Sequence, residues 1–301
     1  MNADIALGTK VFTRTAKLEK LLNTAPDWIT TAYIADDGKM TPEKETLYRR
    51  NYQFNLNVIN LEYDSGVGAG RNAIVNAVEE DYIFIVDPDH RIPPSARILY
   101  DQLQNRLKLG GISGLLIEPR NNRLYSQAAD FNEVMTEDGM KLVRETYSTN
   151  QNKHIEMEEY APVVNFDFIP QATLFRTDCL DEQSWDSEFI TEFEHTDFYL
   201  SHWQNTDWNF AINPSVQIPH YPGGDTDYMT SRKDPQKRSS GREYFLQKWD
   251  YIKLETTEGR WIEAGSIGGF AGNMTGAIDI LRDEGIIALL KQGRLFVKNN
   301  L

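Results

Sequence analysis

The stretch that most constrains this chain is Tyr82-Ile83-Phe84-Ile85-Val86-Asp87-Pro88-Asp89-His90. Its first five residues are apolar or aromatic and largely β-branched or bulky, the composition of a buried central strand. The strand runs straight into two carboxylates. Asp87 and Asp89 lie on the same side of an extended backbone, and Pro88 between them fixes φ and stiffens their spacing. Two hard oxygen ligands at the carboxyl end of a buried strand suit a divalent cation held against phosphates. By itself the pattern also reads as a polar strand exit followed by a turn.

The rest of the chain sets the class. Its 301 residues suffice for one large α/β domain, or a domain with an appendage. With 45 acidic against 31 basic residues the formal net charge is −14, which argues against a nucleic-acid partner, because such a partner needs a basic footprint. A phosphate-bearing ligand would therefore need a cation or a basic loop close by. Cys179 is the single cysteine, so no intrachain disulfide forms and a reducing compartment is expected. No basic segment followed by an apolar run opens the chain, and no apolar run is long enough to span a membrane. A soluble, cytoplasmic protein is the expectation.

In chain order, Ile5 to Phe12 reads as a first strand ending at Thr13-Arg14-Thr15, after which Leu18, Leu21 and Leu22 recur at helical spacing. Ile29 to Ala35 makes a second strand closing on Asp36-Asp37-Gly38, as a local pattern a turn. Thr41-Pro42-Glu43-Lys44 is a helix start, with threonine as cap and proline at the first helical position. Asn57 to Leu61 is a third strand, and Gly66 to Asn72 opens a helix through Val78. Alternating strands and helices with turn signals at each strand end predict a mostly parallel sheet with helices on both faces. The Gly66-x-Gly68-x-Gly70 spacing is wrong for a dinucleotide fingerprint. It suits either a tight loop bringing Arg71 and a helix N-terminus to a phosphate or sugar, or a plain glycine-rich helix entry.

Further on, Ile98 to Leu109 reads as a helix, Gly111 to Ile117 as a buried strand, and Asp138-Gly139 as a hairpin turn. Val163 to Phe166 and Ala172 to Arg176 are two more strands. The segment Trp185 to Phe198 crowds acidic residues and His195 ahead of a helix. Glu194 and Asp197, three apart, share a helical face at its start, as an acidic first turn or as a carboxylate poised to take a proton from a hydroxyl. Trp208 to Ile212 and Ser215 to Ile218 are short strands leading to His220, which is either structural or completes a metal site begun by Asp89. Asp225 to Gly241 bunches Arg232, Lys233, Lys237 and Arg238 and reads as a mobile lid or a solvated loop. Tyr244, Phe245, Trp249 and Ile252 suggest a helix, and an amphipathic tail from Ile278 to Leu290 is expected to dock on the core, with peripheral membrane association as its alternative.

The order of these features over roughly residues 5 to 222 resembles the nucleotide-sugar glycosyltransferases of the GT-A fold, family 2 in particular. Thr13-Arg14 is similar to a shortened version of the family's Thr-x-x-Arg donor-site entry. Asp36-Asp37-Gly38 resembles its Asp-Asp-Gly-Ser, Gly66 to Asn72 its Gly-x-x-x-Ala-Arg-Asn, and Asp87-Pro88-Asp89 its Asp-x-Asp. Glu194-His195-Thr196-Asp197 is similar to its Glu-Asp-x-Asp, and His220 falls where many members place a third metal ligand.

The resemblance implies a GT-A (Rossmann-like) α/β fold with a helical C-terminal extension. It places a catalytic domain over 1–222, with a nucleotide-binding half to about 118 and an acceptor half from about 119. A lid loop and helical extension follow over 223–301. It implies donor contacts from Thr13, Arg14, Asp36, Asp37, Arg71 and Asp87, and Mn²⁺ or Mg²⁺ held by Asp87, Asp89 and His220. The donor is expected to be a UDP-linked sugar, the acceptor a hydroxyl of a glycan, glycolipid or glycoprotein, and the outcome inversion. The departure is His195, where the family has its aspartate base. Asp197, Glu194 and His195 are then the candidates, a carboxylate ahead of the imidazole and Asp197 slightly ahead of Glu194. Trp185, Tyr199 and Trp203 are either an acceptor platform or core. The alternatives are a nucleotidyltransferase of sugar-nucleotide synthesis and a non-catalytic carbohydrate-binding protein of the same fold; the inner face of a membrane is the alternative location.

Overall fold

The computed structural model describes residues 4–119, 123–146, 156–158, 161–224 and 226–257. The first half alternates as its hydrophobic pattern requires: β1 (Ile5–Val11), α1 (Thr15–Asn23), β2 (Ile29–Asp36), α2 (Pro42–Tyr48), β3 (Asn55–Asn60), α3 (Val67–Val75) and β4 (Tyr82–Ile85). Leu18, Leu21 and Leu22 are the buried residues of α1. The Thr41 side chain accepts from the Lys44 N–H at the start of α2, with Pro42 behind it.

Then come α4 (Arg97–Asn105), β5 (Leu109–Glu118), β6 (Arg123–Tyr125), β7 (Asp130–Thr136), β8 (Gly139–Glu145), β9 (Glu156–Glu158), β10 (Ala161–Phe166), β11 (Thr173–Arg176) and α5 (Thr177–Glu182). The described chain ends with α6 (Glu194–Asn205), β12 (Asn209–Pro219), α7 (Thr226–Arg232), α8 (Pro235–Lys248) and β13 (Lys253–Thr256).

The main sheet has ten strands in the order β3-β2-β1-β4-β11-β5-β12-β10-β9, with β6 paired to β5. β3, β2, β1 and β4 are mutually parallel; β6, β10 and β11 run against the rest. The order reverses at β1, where the chain turns from building outward through β2 and β3 to adding β4 on the other side. Ligand crevices in such sheets lie at the carboxyl ends of the strands flanking that point. Here those ends carry Arg14 and Asp87.

Burial follows the period of two expected of a strand covered on both faces. Ile83 and Ile85 join the cluster formed with Ile74 of α3 and Phe198, Tyr199 and Leu200 of α6. Phe84 and Val86 join the opposite cluster, with the leucines of α1 and with Leu99 and Leu103 of α4. Among the described residues no helix is long and apolar enough to cross a membrane.

A second, three-stranded sheet orders β13-β8-β7. Its β7–β8 hairpin turns at Asp138-Gly139 as expected, with Gly139 at φ 135°.

Three expectations are revised. The stretch expected as two strands from Trp208 is the single strand β12, with its pairing to β5 irregular between Ile212 and Gln217. Asn213 makes this workable: its side chain accepts from the Ser215 N–H at 2.8 Å and donates to Gln102 at 2.8 Å, satisfying the bulge internally. The stretch 225–241, expected as a loop, holds α7 and the start of α8. Asp234 caps α8 by accepting from the Gln236 and Lys237 N–H groups, with Pro235 at its first position. This is the same signature as Thr41-Pro42, masked in the sequence by Ser239-Ser240-Gly241. The helix expected to include Ile252 ends at Lys248. The amphipathic tail 278–290 lies outside the described residues.

Candidate active site

The cluster after β4 is built by a tight turn. The His90 N–H donates to the Asp87 carbonyl at 3.0 Å, and the Asp87 N–H returns to His90 Nδ1 at 3.2 Å. The end of β12 clamps it: the Tyr221 N–H donates to the Asp89 carbonyl at 2.8 Å and the Arg91 N–H to the Pro219 carbonyl at 2.9 Å. The His90 and His220 rings stack with centroids 4.7 Å apart. His220 Nε2 lies 3.7 Å from Asp89 Oδ2, and its Nδ1 3.6 Å from Glu118 Oε1.

Arg14, on the exit of β1, donates to Asp89 Oδ2 at 2.6 Å. Burial opposes ionisation of Asp89, but the neighbouring His220 and the Arg14 charge outweigh it and hold the carboxyl below its ordinary range. Burial and the neighbouring His220 push His90 down to about 4, so its ring is neutral near pH 7.

One donor atom of each of Asp87, Asp89 and His90 lies within 4.8 Å of the others. Asp89 Oδ1 is buried and has no hydrogen-bond partner. An orphaned carboxylate oxygen beside a second carboxylate is a donor pair that fits Mn²⁺ or Mg²⁺; His90, whose Nδ1 already accepts the Asp87 N–H, would have to give up that bond to join them through that nitrogen. His90 was not anticipated, although it directly follows Asp89.

Arg71 reaches the same place from α3. Its Nη2 is 3.5 Å from Asp87 Oδ1 and its Nη1 3.9 Å from Glu194 Oε1. The glycines before it let α3 approach its neighbours: a Cβ on Gly68 would meet the Asp186 carbonyl at 2.2 Å. Asn72 is a strut, donating to the Trp185 carbonyl at 2.6 Å and accepting from Ser184 Oγ at 2.6 Å and the Trp185 N–H at 3.0 Å.

Asp36 and Asp37 turn inward. Asp36 accepts from Lys44 Nζ and Tyr48 Oη, each at 2.6 Å. Asp37 is fully buried, 2.7 Å from Lys10 Nζ, and accepts from the Gly66 N–H at 3.0 Å. Neither lines the central cavity; Lys10 does. Thr13 sits beside Arg14, its carbonyl accepting from the Thr15 N–H at 2.8 Å.

That cavity, about 650 Å³, is lined by Arg14, Arg71 and Asp87 on one side and by Glu194, His195 and Thr196 at the head of α6 on the other. Burial raises the pKa of Glu194 against the pull of Arg71, with Asp87 adding to the rise. His195 Nε2 lies 2.9 Å from the Ile169 carbonyl, and burial pushes its pKa down to about 3. A carbonyl only accepts, so Nε2 carries the hydrogen and the ring is neutral.

Asp197 points elsewhere, to Lys248 Nζ at 2.9 Å and Trp249 Nε1 at 2.8 Å, and does not line the cavity. Trp185 stacks on Phe198 at 4.3 Å and Tyr199 is fully buried. Trp203 is half-exposed against Phe131. None of the three faces the cavity.

Arg232 of α7 and Lys237 of α8 bring positive charge to the rim, Lys237 pairing with Asp64. The Tyr228 ring of α7 lies under the Arg14 guanidinium at 4.3 Å. Tyr228 and Arg144 on β8 are further cavity residues that nothing in the sequence marked.

Residues 15–158 match the family model described as glycosyl transferase family 2. The match takes in Asp36, Asp37, Arg71, Asp87 and Asp89 and stops before Glu194 and His220. A mannosyltransferase from Pyrobaculum calidifontis, solved with GDP-Man and Mn²⁺, superposes with a TM-score of 0.53 at 10% identity, over 96% of this chain and 73% of that one. The chain has the GT-A glycosyltransferase fold.

S. aureus TarS 1-349 gives a TM-score of 0.50 at 13% identity over 72% of this chain, which spans 60% of that one. GalNAc-T7, solved with UDP, GalNAc and Mn²⁺, gives 0.53 at 11% identity over 74% of this chain, which spans 44% of that one. No curated protein sequence matches the chain. Within the GT-A fold, Asp87, the α3 arginine and the head of α6 share one crevice at the sheet's switch point, with Asp89 buried behind it.

Proposed function

We propose that this protein is a glycosyltransferase that moves a sugar from a nucleotide-diphosphate donor to an acceptor hydroxyl. The observation that carries the reading is the single cavity in which Asp87 and Arg71 face Glu194. The nucleotide sugars present in the neighbouring structures support a UDP- or GDP-linked donor. We read residues 1–222 as the catalytic domain and 223–301 as lid and extension.

In this reading Asp89, with Asp87 and His220, would hold a divalent cation whose charge would offset that of the departing diphosphate. Arg71 orients Asp87 for the donor. Arg14 and Arg232 add positive charge where a strongly acidic protein would otherwise repel its substrate. Glu194 takes the proton from the acceptor hydroxyl, which attacks the anomeric carbon from the face opposite the diphosphate and inverts it.

Three observations favour Glu194, the first and third over Asp197 and the second over His195, whose pKa burial pushes down to about 3. Glu194 lines the cavity, its raised pKa brings it closer to a useful base strength at neutral pH, and Asp197 is occupied by Lys248 and Trp249. His195, held neutral by burial, serves as packing against Phe168 and Tyr199.

The test is hydrolysis of a panel of UDP- and GDP-sugars with and without Mn²⁺, beside Asp89→Ala. Slow metal-dependent turnover of one donor, lost in the variant, supports the reading and names the sugar. Absence of binding to every nucleotide sugar sinks it in favour of a carbohydrate-binding protein of the same fold.

A further inference from the structure

The cationic side chains lining the cavity are Lys10, Arg14, Arg71, Arg144, Arg232 and Lys237. Most already answer to a carboxylate: Lys10 to Asp37, Arg14 to Asp89, Arg71 to Asp87 and Glu194, and Lys237 to Asp64. Arg232 feels the charges of Asp87 and Asp89 and hydrogen-bonds Tyr228. Arg144 stands apart. Among the described residues it has no ion pair, and burial lowers its pKa from the ordinary value. Its one hydrogen bond runs from Nη1 to Thr196 Oγ1 at 3.3 Å, its guanidinium lies 4.8 Å from the Phe168 ring centroid, and its Nε is buried without a partner.

This placement is built in. Arg144 sits on the middle strand of the small sheet, opposite Phe131 on β7 and Thr256 on β13, which holds the side chain over the head of α6. The first turn of α6 adds to the same field: Phe193 gives it no side-chain cap, so its leading N–H groups have no partner from that residue. His195, next to Thr196, is neutral and offers no counter-charge. A half-buried guanidinium with no carboxylate among the described residues leaves its charge available to an anionic ligand entering the cavity.

We infer that Arg144, with Thr196, binds an anionic group, carboxylate or phosphate, on the sugar side of the substrates. The inference rests on the transferase reading above and narrows its substrate class. The anion has two sources, the transferred sugar itself or the acceptor.

Binding to the full chain with Mn²⁺ present tests it with matched pairs. UDP-glucose against UDP-glucuronate and GDP-mannose against GDP-mannuronate cover the donor. Glucose against glucuronate and glucose 6-phosphate, added to the UDP-loaded protein, cover the acceptor. The anionic member of one set should bind about tenfold or more tighter, as a charge-assisted hydrogen-bond pair allows.

Arg144→Gln should bring that ratio near one while the neutral member still binds, and Arg144→Lys should keep part of it. Equal affinities in every set, or a preference that survives Arg144→Gln, overturns the inference and leaves the transferase reading standing. Failure of every nucleotide sugar to bind overturns both.

Discussion

Asp197 and Lys248 form an ion pair at 2.9 Å that joins the first turn of α6 to the last turn of α8, and it removes Asp197 from the cavity that Glu194 lines. The two carboxylates are three residues apart, and the sequence puts Asp197 only slightly ahead of Glu194 as the candidate base. Their partners separate them. Glu194→Gln should lower turnover by about 10²- to 10⁴-fold, the usual worth of a positioned base, with little effect on folding. Asp197→Ala should instead leave Lys248 with Asp186 alone and the Trp249 indole N–H without its acceptor, cost roughly 1–2 kcal/mol in stability, and leave turnover per folded molecule within about an order of magnitude. Steady-state kinetics beside urea denaturation separate the two. The opposite pattern would return Asp197 to the role of base.

Asp89 should couple metal to stability. Mn²⁺ at about a hundred times its dissociation constant stabilises a site that exists only in the folded chain by roughly 2.7 kcal/mol. Thermal unfolding of the wild type should shift upward with Mn²⁺, and that of Asp89→Asn should not. An equal shift in both proteins would place the cation elsewhere.

Two buried histidines outside the Asp87–His90 turn add to the acid limb of stability, alongside His90. His195 titrates at about 3 and His202 at about 4, both depressed by burial, against an ordinary value of about 6.5. Between those values the unfolded chain takes up protons that the folded chain refuses. Stability is therefore unaffected by these groups above pH 6.5 and is lost as pH falls below it, by about 1 kcal/mol per pH unit for each histidine. Urea midpoints from pH 7 to pH 5 should show this slope, and His202→Asn should remove about half of the part owed to the pair.

Glu194 acts with the opposite sign. Its folded pKa is raised, so the folded chain holds a proton that the unfolded chain has released above about pH 4.3. Stability falls as pH rises through that window. Glu194→Gln should therefore be as stable as wild type or more so at pH 7, with the difference disappearing near pH 4. A variant less stable than wild type at pH 7 would mean that the carboxylate is a net stabilising partner of Arg71.

Gly66 takes φ 96°, and a Cβ there would meet Ile190 Cα at 2.5 Å. Its N–H also holds Asp37. Gly66→Ala should cost about 1–3 kcal/mol from backbone strain, with a further penalty for the clash, and should weaken UDP binding by displacing α3 and Arg71. Thermal unfolding and UDP titration read the two effects separately.

Much of this protein was legible as sequence. The Tyr82–Val86 run, the leucine spacing of α1, the Thr41-Pro42 cap and the Asp138-Gly139 turn are local signals, because hydrophobic period, capping and turn chemistry act over a few residues. The motif order supplied Arg14, Arg71, Asp87, Asp89 and His220, and the structure brings these together at one end of the sheet.

What the sequence could not separate was direction and partnership. Asp36 and Asp37 form a pair of identical carboxylates whose inward orientation depends on Lys44, Tyr48 and Lys10. Glu194 and Asp197 share a helical face, yet Lys248, 51 residues on from Asp197, decides which one meets the cavity. Arg144 carried no motif at all and became a site residue only because β13 and β7 hold β8 over α6. Sequence determined the elements and the chemistry available at their ends. Tertiary structure decided which charges are already paired and which remain for a ligand, because ion pairing depends on distances between residues far apart along the chain.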